Sequence, residues 1–171
     1  MRPRDAAMRA CHATRPRDAK VAVHRTSMRH TVRMQLPRRL ADLVVKNGVG
    51  LGVLSADDRD LVLALAASRL EPRRIYREDE VNRLLMDWLA TDGAMLRTDH
   101  VELRRWLVDT GFVARDGYGH AYTRGPAELQ RAHALLGGAD AATLGAAVRA
   151  TRATAVQARR ARRKAFEAGT I

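Results

Sequence analysis

Val81, Leu84, Leu85, Trp88 and Leu89 stand at i, i+3, i+4, i+7 and i+8. That spacing puts five apolar side chains on one face of a helix, a stripe that needs other apolar surface to cover it. Glu78, Asp79 and Glu80 crowd the helix start, where the backbone dipole favours negative charge, and Asp92-Gly93 stops it. With two Trp and two Phe in 171 residues, the covering surface has to come mostly from Leu, Val and Ala.

The flanking segments supply it. Ser55 is a helix N-cap, with Asp57, Asp58 and Asp60 behind it, and predicts a helix from Ala56 to Leu70 with Leu61, Val62 and Leu65 inward. Glu71-Pro72 ends that helix. Asp99 with Glu102 makes a capping-box-like pair opening a third helix, in which Leu103, Trp106 and Leu107 point inward and Gly111 closes the end. Phe112 to Arg115, the turn Asp116-Gly117-Tyr118-Gly119, and His120 to Arg124 read as a hairpin of two short strands. The expected class is mainly α. Three helices followed by a hairpin is the winged-helix order, with a core of Leu61, Leu65, Val81, Leu85, Trp88, Leu103, Leu107 and Phe112.

Charge divides the chain into three parts. The formal net charge is +12, but residues 1–39 hold 11 Lys+Arg against 2 Asp+Glu, residues 40–124 hold 12 against 14, and residues 125–171 hold 8 against 3. The positive charge lies in the flanks, so attraction to phosphate would be mainly theirs, non-specific and salt-sensitive. Residues 1–39 show no sustained period and leave three readings: a basic arm, an Arg-rich transit peptide, or translation upstream of a true start at Met28 or Met34. Residues 40–54 lack the glycine spacing of a dinucleotide loop and read as a flexible lead-in to the domain. Residues 125–171 read as a helical basic extension: a short helix from Ala127 to Leu136, then an Ala/Arg-rich helix over 139–168. Its apolar stripe, Leu144, Val148 and Val156, is thin. It could pack on the domain, lie on an anionic surface, or pair with a second copy.

Tyr76-Arg-Glu-Asp-Glu-Val-Asn82, then Leu103-Arg-Arg-Trp-Leu-Val-Asp-Thr-Gly-Phe112, Arg115 and Tyr122, resemble the bacterial domain of unknown function 2087 family over residues 75–124. The resemblance implies a winged-helix-like fold. Some members join a helix-turn-helix domain and are described as regulators, but the resemblance implies no established activity or site. This chain carries Arg77 where a capping Thr is usual, and its stretch from Asp92 to Thr98 is longer than usual.

No constellation with assignable catalytic roles is present, so the chain does not read as an enzyme. A lone Cys11 excludes an intrachain disulfide and a Cys-based zinc site, and fits a cytoplasmic location. The six His include no HExxH pair, and no cofactor is implied. Ser27, Ser55 and Ser68 lack a nucleophile-elbow context. The longest strongly apolar run, Leu61 to Ala67, is too short to span a bilayer. Two function classes remain, a nucleic-acid-binding protein of regulatory type and a protein-interaction module that binds a partner or a second copy. For DNA or RNA the candidate contacts are Arg97, Arg104, Arg105, Arg115, Arg124, Arg159, Arg160, Arg162, Arg163 and Lys164. Arg105 shares a helical face with Glu102 and Asp109 and reads as their ion-pair partner. Arg104 reads as the freer of the two and the one able to contact a base. Tyr118 and His120 lie on the hairpin, where phosphate contact, base stacking and plain solvation all remain open.

Overall fold

The computed structural model describes residues 36–169, so the readings that fall on residues 1–35, including Cys11, Ser27, Met28 and Met34, lie outside the described residues. The elements in order are α1 (Arg38–Val44), a 3-10 turn (Leu51–Val53), α2 (Ala56–Ala67), β1 (Tyr76–Arg77), α3 (Glu78–Ala90), α4 (His100–Asp109), β2 (Ala114–Arg115), β3 (Ala121–Thr123), α5 (Pro126–Leu135) and α6 (Ala141–Glu167).

Helix α2 is the centre of the fold. Ser55 Oγ accepts the backbone N–H of Asp58 at 3.2 Å, the expected cap. From Leu61 to Ala67 every residue is buried, because α1, α4 and α5 all pack on this helix. A helix apolar on all sides is stable in water only when it is covered on all sides. It ends at Ala67, before the expected Leu70. The Ser68 hydroxyl donates to Leu65 O at 2.6 Å, and the chain tightens through Arg69 N–H to Ala66 O and Leu70 N–H to Ala67 O.

Helices α3 and α4 pack against each other, and the apolar stripe of α3 is the reason. Val81, Leu85 and Trp88 are fully buried, with Leu84 and Leu89 at the margin. All eight expected core residues are buried. Trp106 is only partly buried, and the Arg59 guanidinium lies over its ring at 4.6 Å. The α3 start has half a capping box. Glu80 accepts the Arg77 backbone N–H at 2.8 Å, while the Arg77 guanidinium has no acceptor with which to complete the pair. Gly93 does more than stop the helix. A Cβ there would meet the Trp88 ring at 2.4 Å, so only glycine lets the chain fold back over the indole.

The hairpin forms with Ala114 opposite Thr123 and Arg115 opposite Tyr122. A third strand, absent from the sequence reading, is β1. Tyr76 pairs with Tyr122 and Arg77 with Ala121, giving an antiparallel sheet in the order β1-β3-β2.

The segment 40–54 departs from the flexible lead-in expected of it. Leu40, Leu43, Val44 and Leu51 are buried, and α1 begins at Arg38, inside the stretch assigned to the tail. Arg39 forms ion pairs with Asp57 and Asp58, both at 2.9 Å. Val49 bridges to Leu96, its N–H donating to Met95 O at 3.0 Å and its carbonyl accepting from Arg97 N–H at 2.8 Å. The long stretch between α3 and α4 is therefore held in place, with Met95 buried beneath it.

Helix α6 packs by its first half. Asp140 caps it, its carboxylate accepting Ala142 and Thr143 N–H at 3.0 Å. Leu144, Gly145 and Val148 are buried. The second half, from Val156 onward, is exposed apart from Ala165.

Candidate nucleic-acid interface

The outward face of α4 carries Glu102, Arg105 and Asp109, all exposed at i, i+3 and i+7. Arg105 does not pair with either neighbour as expected, and among the described residues no carboxylate lies within ion-pair distance of it. Glu102 instead accepts the Thr98 hydroxyl at 2.6 Å, and Asp99 caps the helix by accepting Glu102 N–H at 2.8 Å. One cation between two anions makes this face slightly negative.

Arg104 is the reverse of the free side chain expected. Its side chain is 13% exposed and bonds Glu78 at 2.7 Å and Asn82 Oδ1 at 2.5 Å, with its guanidinium 5.6 Å from the Tyr122 ring. The registry of α3 against α4 turns it inward, and sequence spacing along α4 alone carries no trace of that. Arg124 is likewise a structural residue. It is 5% exposed, and its Nη1 donates to the carbonyls of Ala67 and Leu70 at 2.7 and 3.0 Å, closing the end of α2. Burial pushes its guanidinium below the ordinary arginine value. Neither side chain can reach a base or phosphate in this arrangement.

Arg97 and Arg115 are exposed, Arg115 at the end of β2 and Arg97 just before α4. Tyr118 at the hairpin tip is 88% exposed, and His120 is exposed. Asp116 belongs to the turn itself, accepting His120 and Ala121 N–H at 2.7 and 3.1 Å. These bonds hold its carboxyl below its ordinary pKa, the Ala121 bond contributing most. The hairpin therefore carries anion and cation side by side.

The basic run on α6 divides in two. Arg152 donates to Val44 O, Lys46 O and Asn47 Oδ1, at 2.5, 3.0 and 3.0 Å, and Arg159 donates to Val45 O. Both close the C-terminal end of α1, where carbonyls without helical partners attract cations. Arg160, Arg162 and Lys164 are exposed and form no ion pair with the described residues, while Arg163 pairs with Glu167 at 2.8 Å in full solvent. Such a pair contributes little and opens readily.

Three flank residues that no sequence motif marks, Arg131, Gly145 and Arg149, join the flanks to the centre. Arg149 pairs with Asp92, which is 2% exposed, across a separation of 57 residues. Gly145 leaves room for that carboxylate, as its Cβ would stand 2.6 Å from Asp92 Oδ2. Arg131 bonds Asp60 at 2.7 Å and the Thr110 carbonyl, over the Phe112 ring at 4.3 Å. Nothing local announces these contacts. An acid, a glycine and an arginine of ordinary appearance meet only in the tertiary fold.

Among the described residues no group of three or more His, Cys, Asp or Glu is gathered as a metal site would require, and no helix is long and apolar enough to cross a membrane. No curated protein and no solved structure matches the chain in comparison. A family match does exist, and it reaches twenty residues further toward the N-terminus than the resemblance over 75–124, taking in all of α2. Residues 55–124, from the Ser55 cap to Arg124, match the domain of unknown function 2087 family, described as an uncharacterized protein conserved in bacteria.

Proposed function

We propose that residues 55–124 form a winged helix used as a scaffold, and that the protein binds nucleic acid through the outer half of α6 rather than by reading bases from α4. The winged-helix reading is supported by the order α2-β1-α3-α4-β2-β3 and by the strand order β1-β3-β2. The observation that carries the binding reading is the state of residues 159–164. Five cations fall within six residues, and three of them, Arg160, Arg162 and Lys164, are exposed without a carboxylate partner among the described residues. A polyanion is the natural complement to such a density of unpaired charge on an exposed helix, and release of its counterions supplies the driving force. With Arg104 of α4 and Arg124 after β3 engaged internally, the exposed face of α4 has no excess of cations with which to dock in a groove.

The test is the salt dependence of binding by the full chain. Arg160→Gln, Arg162→Gln and Lys164→Gln together leave Arg152 and Arg159 at their α1 carbonyls. On duplex DNA each lost phosphate contact lowers the slope of log K against log salt by about 0.9, so the triple variant should lose roughly 2 to 3. Arg105→Ala should weaken all sequences alike and slightly. An unchanged slope in the triple variant would sink the α6 reading. A sequence-selective loss with Arg105→Ala would restore α4 as a reader of bases.

A second reading, a protein-interaction module, is favoured by the alternation of Glu102, Arg105 and Asp109 on the outward face of α4. Mixed charge of this kind suits a protein surface of complementary pattern better than uniform phosphate. Absence of binding to duplex or single strands at low salt would leave this reading as the better one.

A further inference from the structure

Phe166 is 74% exposed, one of two exposed aromatic residues prominent on the surface, and it sits within the basic end of α6. Its position on the helix is informative. Leu144, Val148, Ala155 and Arg159 lie on the stripe of α6 that faces the rest of the fold, buried or partly buried as far as Ala155 and hydrogen-bonded to α1 at Arg159. Seven residues after Arg159, two turns along the helix, the same stripe reaches Phe166, where the fold no longer covers it. Arg162 and Arg163 precede Phe166 by four and three residues, so both flank its ring on the helix surface. Arg162 is exposed, and Arg163 is held only by the solvent pair with Glu167.

An aromatic ring in water costs free energy, and here its neighbours one turn back are Arg162 and Arg163, the latter paired with Glu167, rather than other large apolar groups. Val156, ten residues earlier and 37% exposed, is the other large apolar side chain on this half of the helix, so the face is too sparse in apolar surface to insert among lipid chains or to pack with a second copy. Charge complementarity selects a polyanion, and the exposed ring selects one that offers a π-face. Duplex bases are stacked on each other and offer none, whereas single-stranded bases do. We infer that the outer end of α6 is a single-strand binding site, in which Phe166 stacks on a base while Arg162 and Arg163 hold the flanking phosphates. This rests on the reading of α6 as the nucleic-acid-binding element and adds the class of nucleic acid it takes.

The test measures fluorescence anisotropy of the full chain with a labelled mixed-sequence single strand and with the duplex of the same length, across a salt series. Four proteins are compared: wild type, Phe166→Ala, Phe166→Leu and Phe166→Trp. The expected result is tighter binding of the single strand, a loss of roughly 5- to 150-fold with Phe166→Ala, and a loss nearly as large with Phe166→Leu. Phe166→Trp should retain affinity, with indole fluorescence quenched on binding. The salt slope should be the same in all four, because no phosphate contact is removed, and duplex binding should not change. Equal loss on single strand and duplex, or no loss with Phe166→Ala while the wild type still binds, would overturn the stacking site and leave the basic-helix reading standing. Failure of the wild type to bind either strand form would overturn both. Vesicles of mixed neutral and anionic lipid are run in parallel. Phe166-dependent vesicle binding without single-strand binding would assign the site to a membrane surface and overturn the proposal.

Discussion

Gly145→Ala offers a sharp test of how α6 is joined to the rest of the fold, because local and tertiary arguments predict opposite signs. In a helix interior, replacing glycine by alanine ordinarily stabilises by about 1 kcal/mol, through the smaller entropy lost on folding. At this position the new Cβ would lie 2.6 Å from Asp92 Oδ2, 3.3 Å from Asp92 Cγ and 3.2 Å from Arg149 Nη1. Arg149 is half exposed and can yield, but Asp92 is 2% exposed and has nowhere to retreat. Either α6 lifts from the α3–α4 connection, or the carboxylate turns away and loses its partner. Overpacking of this kind costs about 1–3 kcal/mol. Losing a partner of a buried charge costs about 3–5 kcal/mol, reduced here because Arg149 is solvated. Setting these against the helix gain leaves a net loss of about 1–3 kcal/mol. For a chain of this size that lowers Tm by roughly 3–10 °C. The measurement is thermal unfolding followed by circular dichroism, for wild type, Gly145→Ala, Asp92→Ala and the double variant. With Asp92 shortened, the clash is gone and Gly145→Ala should become neutral or stabilising, a coupling that only direct contact produces. A Tm raised by Gly145→Ala alone would refute the packing of α6 described above.

Three further outcomes follow from the same structure. Leu85→Ala, at a fully buried position between α3 and α4, should cost about 2–5 kcal/mol in chemical denaturation, and an unchanged midpoint would contradict the shared core. Arg104→Ala should lower stability by about 1–3 kcal/mol through its lost bonds to Glu78 and Asn82. A variant that melts like wild type but binds DNA less selectively would reverse the assignment of this residue. Acid should destabilise the fold through its caps. Asp99 and Asp140 are held below the ordinary carboxylate range, Asp99 chiefly by the Glu102 backbone N–H and Asp140 by hydrogen bonds from Thr143. A depressed folded pKa contributes stability that is present above the unfolded value and lost as pH falls through the folded one, so Tm should drop below about pH 4. Asp140→Asn should flatten that acid limb, and an unaltered limb would remove the cap from the account.

The three central helices, their caps and the hairpin were legible because their signals are local. A capping side chain reaches a backbone N–H two or three residues on, and an apolar stripe repeats within two turns, so Ser55, Asp99, Gly111 and the run from Val81 to Leu89 announce themselves in one dimension. Strand β1 was not legible. Two residues long, Tyr76-Arg77 is a strand only because Tyr122 and Ala121 lie alongside, 44 to 46 residues away. The segment 40–54 looked loose for the same reason, since its order comes from Leu96 and from the faces of α2 and α6, and its glycines alone suggest freedom.

The candidate site divides along the same line. Composition by itself determined that positive charge lies outside residues 40–124, and the run Arg159 to Lys164 was visible as a cluster. Which arginines are available to a partner was decided only by tertiary structure. Arg104, Arg124, Arg152 and Arg159 have the same side chain as Arg105, Arg160 and Arg162, and no spacing rule separates the two sets. The first four face helix ends, carbonyls and a carboxylate brought close by packing, so each already donates to an acceptor within the fold. The others face water. A guanidinium is long enough to reach any acceptor the fold presents, and its role is therefore set by neighbours distant in the sequence rather than by its own place in the chain.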